Sequence, residues 1–153
     1  MITIRQSQAD ETGRLYQIWH DAVRASHGFI SDLDMAEIEN MVRTDYLPKN
    51  DFWLAVDEND RIVGFMRLEG THVDSLFVDP QAQGKGAGRA LLAHAYSLSN
   101  ELSVEVNEQN LEARRFYERM GFVQVGWTAT DAGGRPYPLL MMYLKDGSQL
   151  EQD

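Results

Sequence analysis

Glycines alternate with other residues in the segment from Gln83 to Arg89, with glycine at positions 84, 86 and 88. Glycine adopts positive φ without steric cost and lets a ligand come close to the backbone. The strand-like run Val73 to Val78 precedes this turn, and a helix-like run follows it directly. The N–H groups and the positive dipole end of that helix, together with Lys85, would favour an anion. The pattern therefore predicts a binding site for a diphosphate.

Other kinds of glycine turn fit the segment less well. A P-loop needs Gly-Lys-Ser/Thr after four spacer residues, and the chain lacks that sequence. A Rossmann turn needs a third glycine where this chain has Arg89. The turn also lies past the middle of the chain, which leaves too little sequence for two mononucleotide-binding halves. A plain strand-to-helix turn is the remaining alternative, and the dense glycines with basic residues among them favour the anion site.

Three residues in the last third of the chain could also do chemistry. Asn110 precedes a helix predicted from about Leu111, where asparagine serves well as an N-cap. Tyr117 lies on that helix, and its position alone predicts an aromatic residue packed beside Phe116. Tyr137 lies between two prolines in the connection before the last strand, and the prolines restrict its backbone as suits a residue presented to a site.

Apolar periodicity predicts the elements that position these residues. Seven strands are expected at Ile2 to Arg5, Phe52 to Val56, Ile62 to Leu68, Val73 to Val78, Leu102 to Val106, Phe122 to Thr128 and Leu139 to Leu144. Helices are expected around Leu15 to Val23, from Ser31 to Pro48, after Gly88, and from Leu111 to Gly121. The order β-α-α-β-β-β-α-β-α-β-β predicts one α/β domain with a mixed sheet and helices on both faces.

Composition narrows the function classes. The 153 residues carry a net charge of -10 and no cysteine, which excludes disulfides and thiolate catalysis and fits a cytoplasmic protein. An acidic chain is a poor candidate for nucleic-acid binding. The sequence shows no apolar run for a membrane span, no export signal and no metal-ligand spacing. The acidity would suit an amine-bearing substrate, or it serves solubility alone.

Two motifs resemble the signatures of the GCN5-related N-acetyltransferases, the GNAT family. The segment QGKGAG, from Gln83 to Gly88, resembles the family's Q/R-x-x-G-x-G/A. The segment NEQNLEARRFYERMGF resembles its N-x-x-A-x-x-F-Y-x-x-x-G-F, with matches at Asn110, Ala113, Phe116, Tyr117, Gly121 and Phe122. The motifs stand in the family's order and at its usual separation, so the resemblance spans about Ile2 to Lys145. We expect an acetyltransferase domain at residues 1–145 and a disordered tail at 146–153.

The resemblance implies a fold and a cosubstrate. The fold would be a single domain with a mixed, mostly antiparallel sheet and splayed central parallel strands. The cosubstrate would be acetyl-CoA, with its pyrophosphate held at Gln83, Gly84, Lys85, Gly86, Ala87, Gly88 and Arg89. The pantetheine arm would lie along Leu76, Phe77 and Val78 as an added strand and would also contact Asn110 and Tyr117. The amide near Leu76 or Phe77 would donate to the acetyl oxygen.

The resemblance also implies catalytic roles. Tyr117 would be the general acid that protonates the departing thiolate. Something must accept the proton of the amine, and the chemistry leaves His72, Asp74, Glu108 and Tyr137 as candidates. Similarity to a bacterial subgroup of the family favours Tyr137 as the second functional tyrosine and a protein lysine as the acceptor.

The expected reaction is direct transfer to a primary amine in a ternary complex, since the chain has no cysteine to carry the acetyl group. A small amine such as a polyamine, amino acid or aminoglycoside is an alternative acceptor. A non-catalytic CoA-binding sensor and a nucleotide-binding signalling domain are further alternatives. The sequence leaves the oligomeric state open between monomer and homodimer.

Overall fold

The computed structural model describes residues 1–151. The strands are β1 Thr3–Gln6, β2 Trp53–Val56, β3 Ile62–Glu69, β4 His72–Val78, β5 Leu102–Asn107, β6 Val123–Thr128 and β7 Leu139–Leu144. The α-helices are α1 Thr12–Ser26, α2 Asp32–Met41, α3 Leu47–Lys49, α4 Ala87–Ser99 and α5 Leu111–Arg119. A π-helical segment, Val42–Tyr46, joins α2 to α3, and 3₁₀ turns lie at Ala9–Glu11, Pro80–Ala82 and Ser148–Glu151. Within the described range, none of these helices is long and apolar enough to span a bilayer.

The chain divides into two compact units, and β4 contributes to both. Unit 1 consists of Met1–Arg67 and Ser75–Leu91, while unit 2 consists of Leu68–Asp74 and the segment from Leu92 onward. The strand order is β1-β2-β3-β4 in unit 1 and β4-β5-β7-β6 in unit 2. The predicted mixed sheet of seven strands is therefore confirmed.

The core of unit 1 forms between α1 and the strands β2 and β3. Leu15, Ile18 and Trp19 are buried on one face of α1, as their helical spacing predicts. They belong to the same apolar cluster as Leu54 on β2 and Phe65 on β3, which are fully buried. Burial of each large apolar side chain contributes about 1.5–3 kcal/mol to the free energy of unfolding. This cluster gives the first half of the sheet a fixed support.

The core of unit 2 follows from strict alternation along β5 and β7. The two strands pair antiparallel, with Val104 opposite Met142. Alternate residues are buried on both strands, namely Leu102, Val104, Val106, Leu140, Met142 and Leu144. Successive side chains of a strand point to opposite faces, so one face of this pair packs into the core.

The parallel strands β4 and β5 pair only near their amino ends. His72 lies opposite Ser103 and Val73 opposite Val104. Among the residues that the structure describes, the ladder ends at these two pairs. A parallel ladder this short is what the predicted splay of the central strands requires.

The second helix differs from the prediction, which had it end at Pro48. The start at Ser31 agrees with the prediction, since the Ser31 Oγ caps α2 by accepting the Asp34 N–H at 3.2 Å, but α2 ends at Met41. The π-helical segment Val42–Tyr46 follows, and Pro48 lies in the first turn of α3. Proline fits there because a first-turn N–H has no acceptor within its helix. A single wider turn leaves no trace in apolar spacing, so the sequence did not reveal it.

The sequence predicted a disordered tail from residue 146. The structure differs from this prediction in the residues up to 151. A 3₁₀ turn forms at Ser148–Glu151, and Leu150 is buried. Gly147 lies so close to the Tyr96 ring that a Cβ there would overlap it, and the Tyr96 hydroxyl donates to the Lys145 carbonyl at 2.9 Å. Residues 152 and 153 lie outside the described residues.

Replacing Leu150 by alanine tests this ordered end. The Leu150→Ala variant should lower the free energy of unfolding by about 2 to 5 kcal/mol, because it removes buried apolar atoms and leaves a cavity. Urea unfolding of both proteins measures the change. Glu151→Ala, at an exposed neighbour, should stay within about 0.5 kcal/mol of the parent. Equal stability of the Leu150→Ala variant and the parent would show that the segment does not pack.

Candidate active site

The turn that joins β4 to α4 has left-handed backbone at two glycines. The φ angle is +81° at Gly84 and +85° at Gly86, a region that costs other L-residues about 1–2 kcal/mol. The 3₁₀ turn before it is held by the buried Asp79, whose carboxylate accepts the Gln81 N–H at 3.0 Å. Arg14 donates to the same carboxylate at 2.9 Å. The glycines can therefore change the direction of the chain directly after a 3₁₀ turn that Asp79 holds in place.

The first turn of α4 presents backbone donors at these glycines. The Ala90 N–H donates to the Gly86 carbonyl at 2.9 Å, so the amides of Ala87 and Gly88 precede the first intrahelical hydrogen bond. The residues from Gln83 to Gly86, including Lys85, are exposed. A Cβ built at Gly84 or Gly86 would meet no atom within 4 Å. The turn is thus open, rich in donors and positive, which suits a phosphate group.

The backbone of β4 distinguishes Leu76 from Phe77. The Asp79 N–H donates to the Val63 carbonyl on β3 at 2.8 Å, and the Phe77 carbonyl lies 3.1 Å from a Cβ built at Gly64 on the same strand. Backbone groups of successive strand residues point to opposite sides. Phe77 therefore directs its N–H towards β3, while Leu76 and Val78 direct theirs away from it. Of the two residues the sequence left open, this geometry favours Leu76 as donor to a ligand.

The helix α5 carries two predicted site residues in unit 2. Asn110 caps it, with the side-chain oxygen accepting the Ala113 N–H at 3.1 Å. Tyr117 lies two turns further on and is buried. Its ring packs between Phe116 and Phe122, with ring centroids 5.1 and 5.2 Å away. The N-cap interpretation of Asn110 is confirmed, and a contact with pantetheine stays a prediction.

Burial raises the pKa of the Tyr117 phenol well above its usual value, because the phenolate would lose its hydration. The phenol is therefore neutral throughout the physiological range. A neutral phenol carries the O–H that a hydrogen-bond donor needs. This protonation state is the one that a general acid needs before it acts.

Tyr137 is also buried, in the loop between β6 and β7. Asp131 holds the loop, since its Oδ1 accepts the backbone N–H of Gly133 at 2.9 Å and of Arg135 at 2.8 Å. The Glu108 N–H donates to the carbonyl of Pro138, the residue after Tyr137, at 2.9 Å. This bond joins the Tyr137 loop to the connection that leads into Asn110 and α5.

The other candidate proton acceptors have defined surroundings. The His72 Nδ1 lies 2.8 Å from the Ser103 Oγ, and its Nε2 lies 3.8 Å from a Glu105 oxygen. The Glu108 carboxylate accepts the Trp127 indole N–H at 3.0 Å. Asp74 is exposed. Across residues 1–151 no set of three or more His, Asp or Glu side chains gathers where a metal could bind.

The predicted residues form two groups, one in each unit. Unit 1 holds the strand from Leu76 to Val78 and the turn from Gln83 to Arg89, whereas unit 2 holds Asn110, Tyr117 and Tyr137. Sequence reasoning missed a further polar contact in unit 1, from the Tyr46 hydroxyl to the Ser75 Oγ at 2.7 Å. These two residues are 29 positions apart, so no local motif joins them.

The comparison with known families decides the classification. A family model described as an acetyltransferase (GNAT) domain matches residues 20–141. The chain belongs to the GNAT acetyltransferase family. The resemblance carried by the two sequence motifs is thereby confirmed.

Individual relatives within the GNAT family support the same conclusion. The chain is 46% identical over 140 residues to the peptidyl-lysine N-acetyltransferase YjaB of Salmonella typhimurium, covering 92% of this chain and 96% of that protein. It matches the solution structure of apo-form YjaB from Escherichia coli with a TM-score of 0.88, at 45% identity, over 94% of this chain and 97% of the other. A PaiA N-acetyltransferase from Thermoplasma acidophilum in complex with coenzyme A has a TM-score of 0.75 at 18% identity, covering 95% of this chain and 99% of that one; this last match shows the fold alone.

GNAT enzymes take their acetyl group from acetyl-CoA, so this chain is an N-acetyltransferase with acetyl-CoA as cosubstrate. The structure offers an independent test of fit at the glycine turn. A pyrophosphate requires backbone donors and nearby positive charge. The amides of Ala87 and Gly88 precede the first intrahelical hydrogen bond; Ala87 is buried and Gly88 is partly exposed, and Lys85 beside them is exposed. The residues present therefore fit the group.

Gly86→Ala tests the left-handed turn. It should lower the free energy of unfolding by about 1–2 kcal/mol, since alanine is strained at φ +85° although its Cβ meets no neighbour. Gly13→Ala is the matched control, because Gly13 lies in α1 with nothing within 4 Å of a built Cβ and no positive φ. That control should be neutral or stabilising by up to about 1 kcal/mol. Urea unfolding compares them, and equal effects would contradict the turn geometry.

Proposed function

We propose that this chain transfers the acetyl group of acetyl-CoA directly to the side-chain amine of a protein lysine, within a ternary complex. The observation that carries the proposal is the 46% identity, over nearly the whole of both chains, to a relative named as a peptidyl-lysine N-acetyltransferase. A second relative of that name, YjaB of Escherichia coli, has the same identity over the same length. The absence of cysteine from the chain supports direct transfer, since no thiol can carry the acetyl group.

The glycine turn is assigned to the pyrophosphate. Backbone amides from Gln83 to Arg89 donate to its oxygens, and the exposed Lys85 adds positive charge to a chain whose net charge is -10. Neutral amides and the helix dipole would give affinity for the pyrophosphate without a large basic patch. Such a site would hold acetyl-CoA in the same position whichever amine binds.

The strand β4 is assigned to the pantetheine arm and the acetyl oxygen. Leu76 and Val78 direct their backbone groups away from β3, so they are able to pair with an extended ligand as with an added strand. The Leu76 N–H donates to the acetyl oxygen, where negative charge develops during attack. Asn110 adds a contact to the arm while its side-chain oxygen caps α5.

Tyr117 and Tyr137 are assigned to proton transfer. Acetyl-CoA supplies a thioester, which an amine attacks with formation of the C–N bond and loss of the C–S bond. The ammonium of lysine gives up one proton before attack, and the nitrogen gives up a second afterwards. Tyr117 passes one proton to the departing sulfur and regains one, so that the net products are the amide, free thiol and one proton. Tyr137 contacts the amine and leads its proton towards solvent.

An acetyl-transfer assay over a mixed panel tests the acceptor class. The panel holds lysine peptides, polyamines, amino acids and an aminoglycoside, and mass spectrometry reads the products. We expect acetylation at lysine Nζ with kcat/KM at least tenfold above that of any small amine. Preferential acetylation of a small amine would replace the proposal with a small-molecule acetyltransferase. Binding of acetyl-CoA without turnover of any amine would indicate a sensor.

Tyr117→Phe tests the acid assignment. The variant keeps the ring between Phe116 and Phe122 but loses the proton donor, so kcat should fall by about 10²- to 10⁴-fold. The affinity for CoA, measured by calorimetry, should change little. Tyr96→Phe is the matched control because it also removes a tyrosine hydroxyl, one that donates to the Lys145 carbonyl, and it should retain parental kcat. Normal turnover of Tyr117→Phe with the best amine would refute the assignment.

A further inference from the structure

Tyr46 and Ser75 form a hydroxyl pair within unit 1. The Tyr46 hydroxyl donates to the Ser75 Oγ at 2.7 Å. Both residues are partly exposed. The proposed function gives neither residue a role.

The position of Ser75 places this pair beside the proposed acetyl position. Ser75 is the residue before Leu76 on β4, and Leu76 is assigned to the acetyl oxygen. Strand residues advance by about 3.3 Å each, so the Ser75 hydroxyl lies within a few ångströms of that backbone along the strand. The Ser75 hydroxyl would contact an acceptor that approaches the acetyl carbon from the Ser75 face of β4.

The π-helical segment Val42–Tyr46 ends at Tyr46. A π turn takes an extra residue and so changes the direction of the side chains that follow it, and such turns occur often at functional sites. The Asn50 side chain donates to the Tyr46 carbonyl at 2.8 Å, and the Tyr46 ring packs edge-on against Phe52 at 5.6 Å. Backbone and ring are thus both held, which fixes the hydroxyl in place.

The direction of the hydrogen bond determines which hydrogen-bonding groups the two hydroxyls can present to a ligand. Because Tyr46 donates to Ser75, the serine O–H is not used in this bond, and each hydroxyl oxygen has acceptor capacity of its own. An ammonium or amine carries N–H donors and needs oxygen acceptors in a fixed geometry. Neither hydroxyl bears a charge, so the pair orients an amine without stabilising its protonated, unreactive form as a carboxylate would.

We propose that the Tyr46–Ser75 hydroxyl pair binds the nitrogen of the acceptor amine and positions it for attack beside β4. The pair is a specificity-determining element for primary amines rather than a proton acceptor. This inference rests on the proposed acetyl transfer, which it extends by naming the contact for the acceptor.

Tyr46→Phe and Ser75→Ala test the inference by steady-state kinetics at saturating acetyl-CoA, with the best peptide of the panel as acceptor. Each variant should lower the acceptor kcat/KM about 10- to 100-fold, chiefly through KM, as expected for loss of a hydrogen bond to a charged or strongly polar group. Calorimetric binding of the peptide to the protein–CoA complex should weaken by a similar factor. The affinity for CoA alone should stay within about twofold of the parent.

Two control variants and one melting measurement separate recognition from structural support. Ser75→Thr keeps a hydroxyl and suits a strand, so it should restore most of the acceptor affinity. Tyr96→Phe removes a tyrosine hydroxyl bond in unit 2 and should leave the acceptor KM unchanged. Tyr46→Phe keeps the ring against Phe52, so its melting temperature should stay near that of the parent.

Two results would overturn the inference alone. One is an active wild type whose Tyr46→Phe and Ser75→Ala variants keep the parental acceptor KM. The other is equal weakening of acceptor and CoA binding with a lowered melting temperature, which would assign the pair to structural support. A wild type that transfers acetyl to no amine would instead refute the proposed function, and the inference with it.

Discussion

The left-handed backbone at Gly84 and Gly86 determines how the chain passes from β4 to α4. It lets the chain leave β4 and enter α4 within a few residues, and it leaves the amides of Ala87 and Gly88 ahead of the first helical hydrogen bond. A side chain at either position would be strained although there is space for it. The same glycines therefore shape the fold locally and leave room for the proposed anion site.

Burial determines where the proposed site uses a neutral group and where it uses a charged one. The Tyr117 phenol is neutral because it is buried among aromatic rings, which raises its pKa, whereas Lys85 is exposed next to the proposed phosphate site. A charged donor placed where Tyr117 lies would need a partner against its desolvation. The acceptor side as proposed follows the same principle, since the uncharged hydroxyls of Tyr46 and Ser75 would orient the amine while Tyr137 leads its proton towards solvent.

Sequence patterns predicted the parts of the fold that depend on local spacing. The bounds of β7, Leu139–Leu144, agree with the prediction because every second side chain there is buried. The glycine turn and the Asn110 cap were predicted from residue types that local backbone geometry requires. The π-helical segment was missed because one extra residue in a turn barely alters apolar periodicity. The packing of Leu150 and the Tyr46–Ser75 contact were missed because each depends on residues distant in sequence.

An NMR titration of amide-labelled protein with coenzyme A shows whether the glycine turn holds the pyrophosphate. We expect the largest shifts on the amides from Gln83 to Arg89, with smaller ones at Leu76 and Val78. Pantetheine, which has no pyrophosphate, should leave the amides of the glycine turn almost unmoved. Saturation by coenzyme A without movement of the Gly84 to Gly88 signals, or no response at all, would contradict the assignment of the turn to the pyrophosphate.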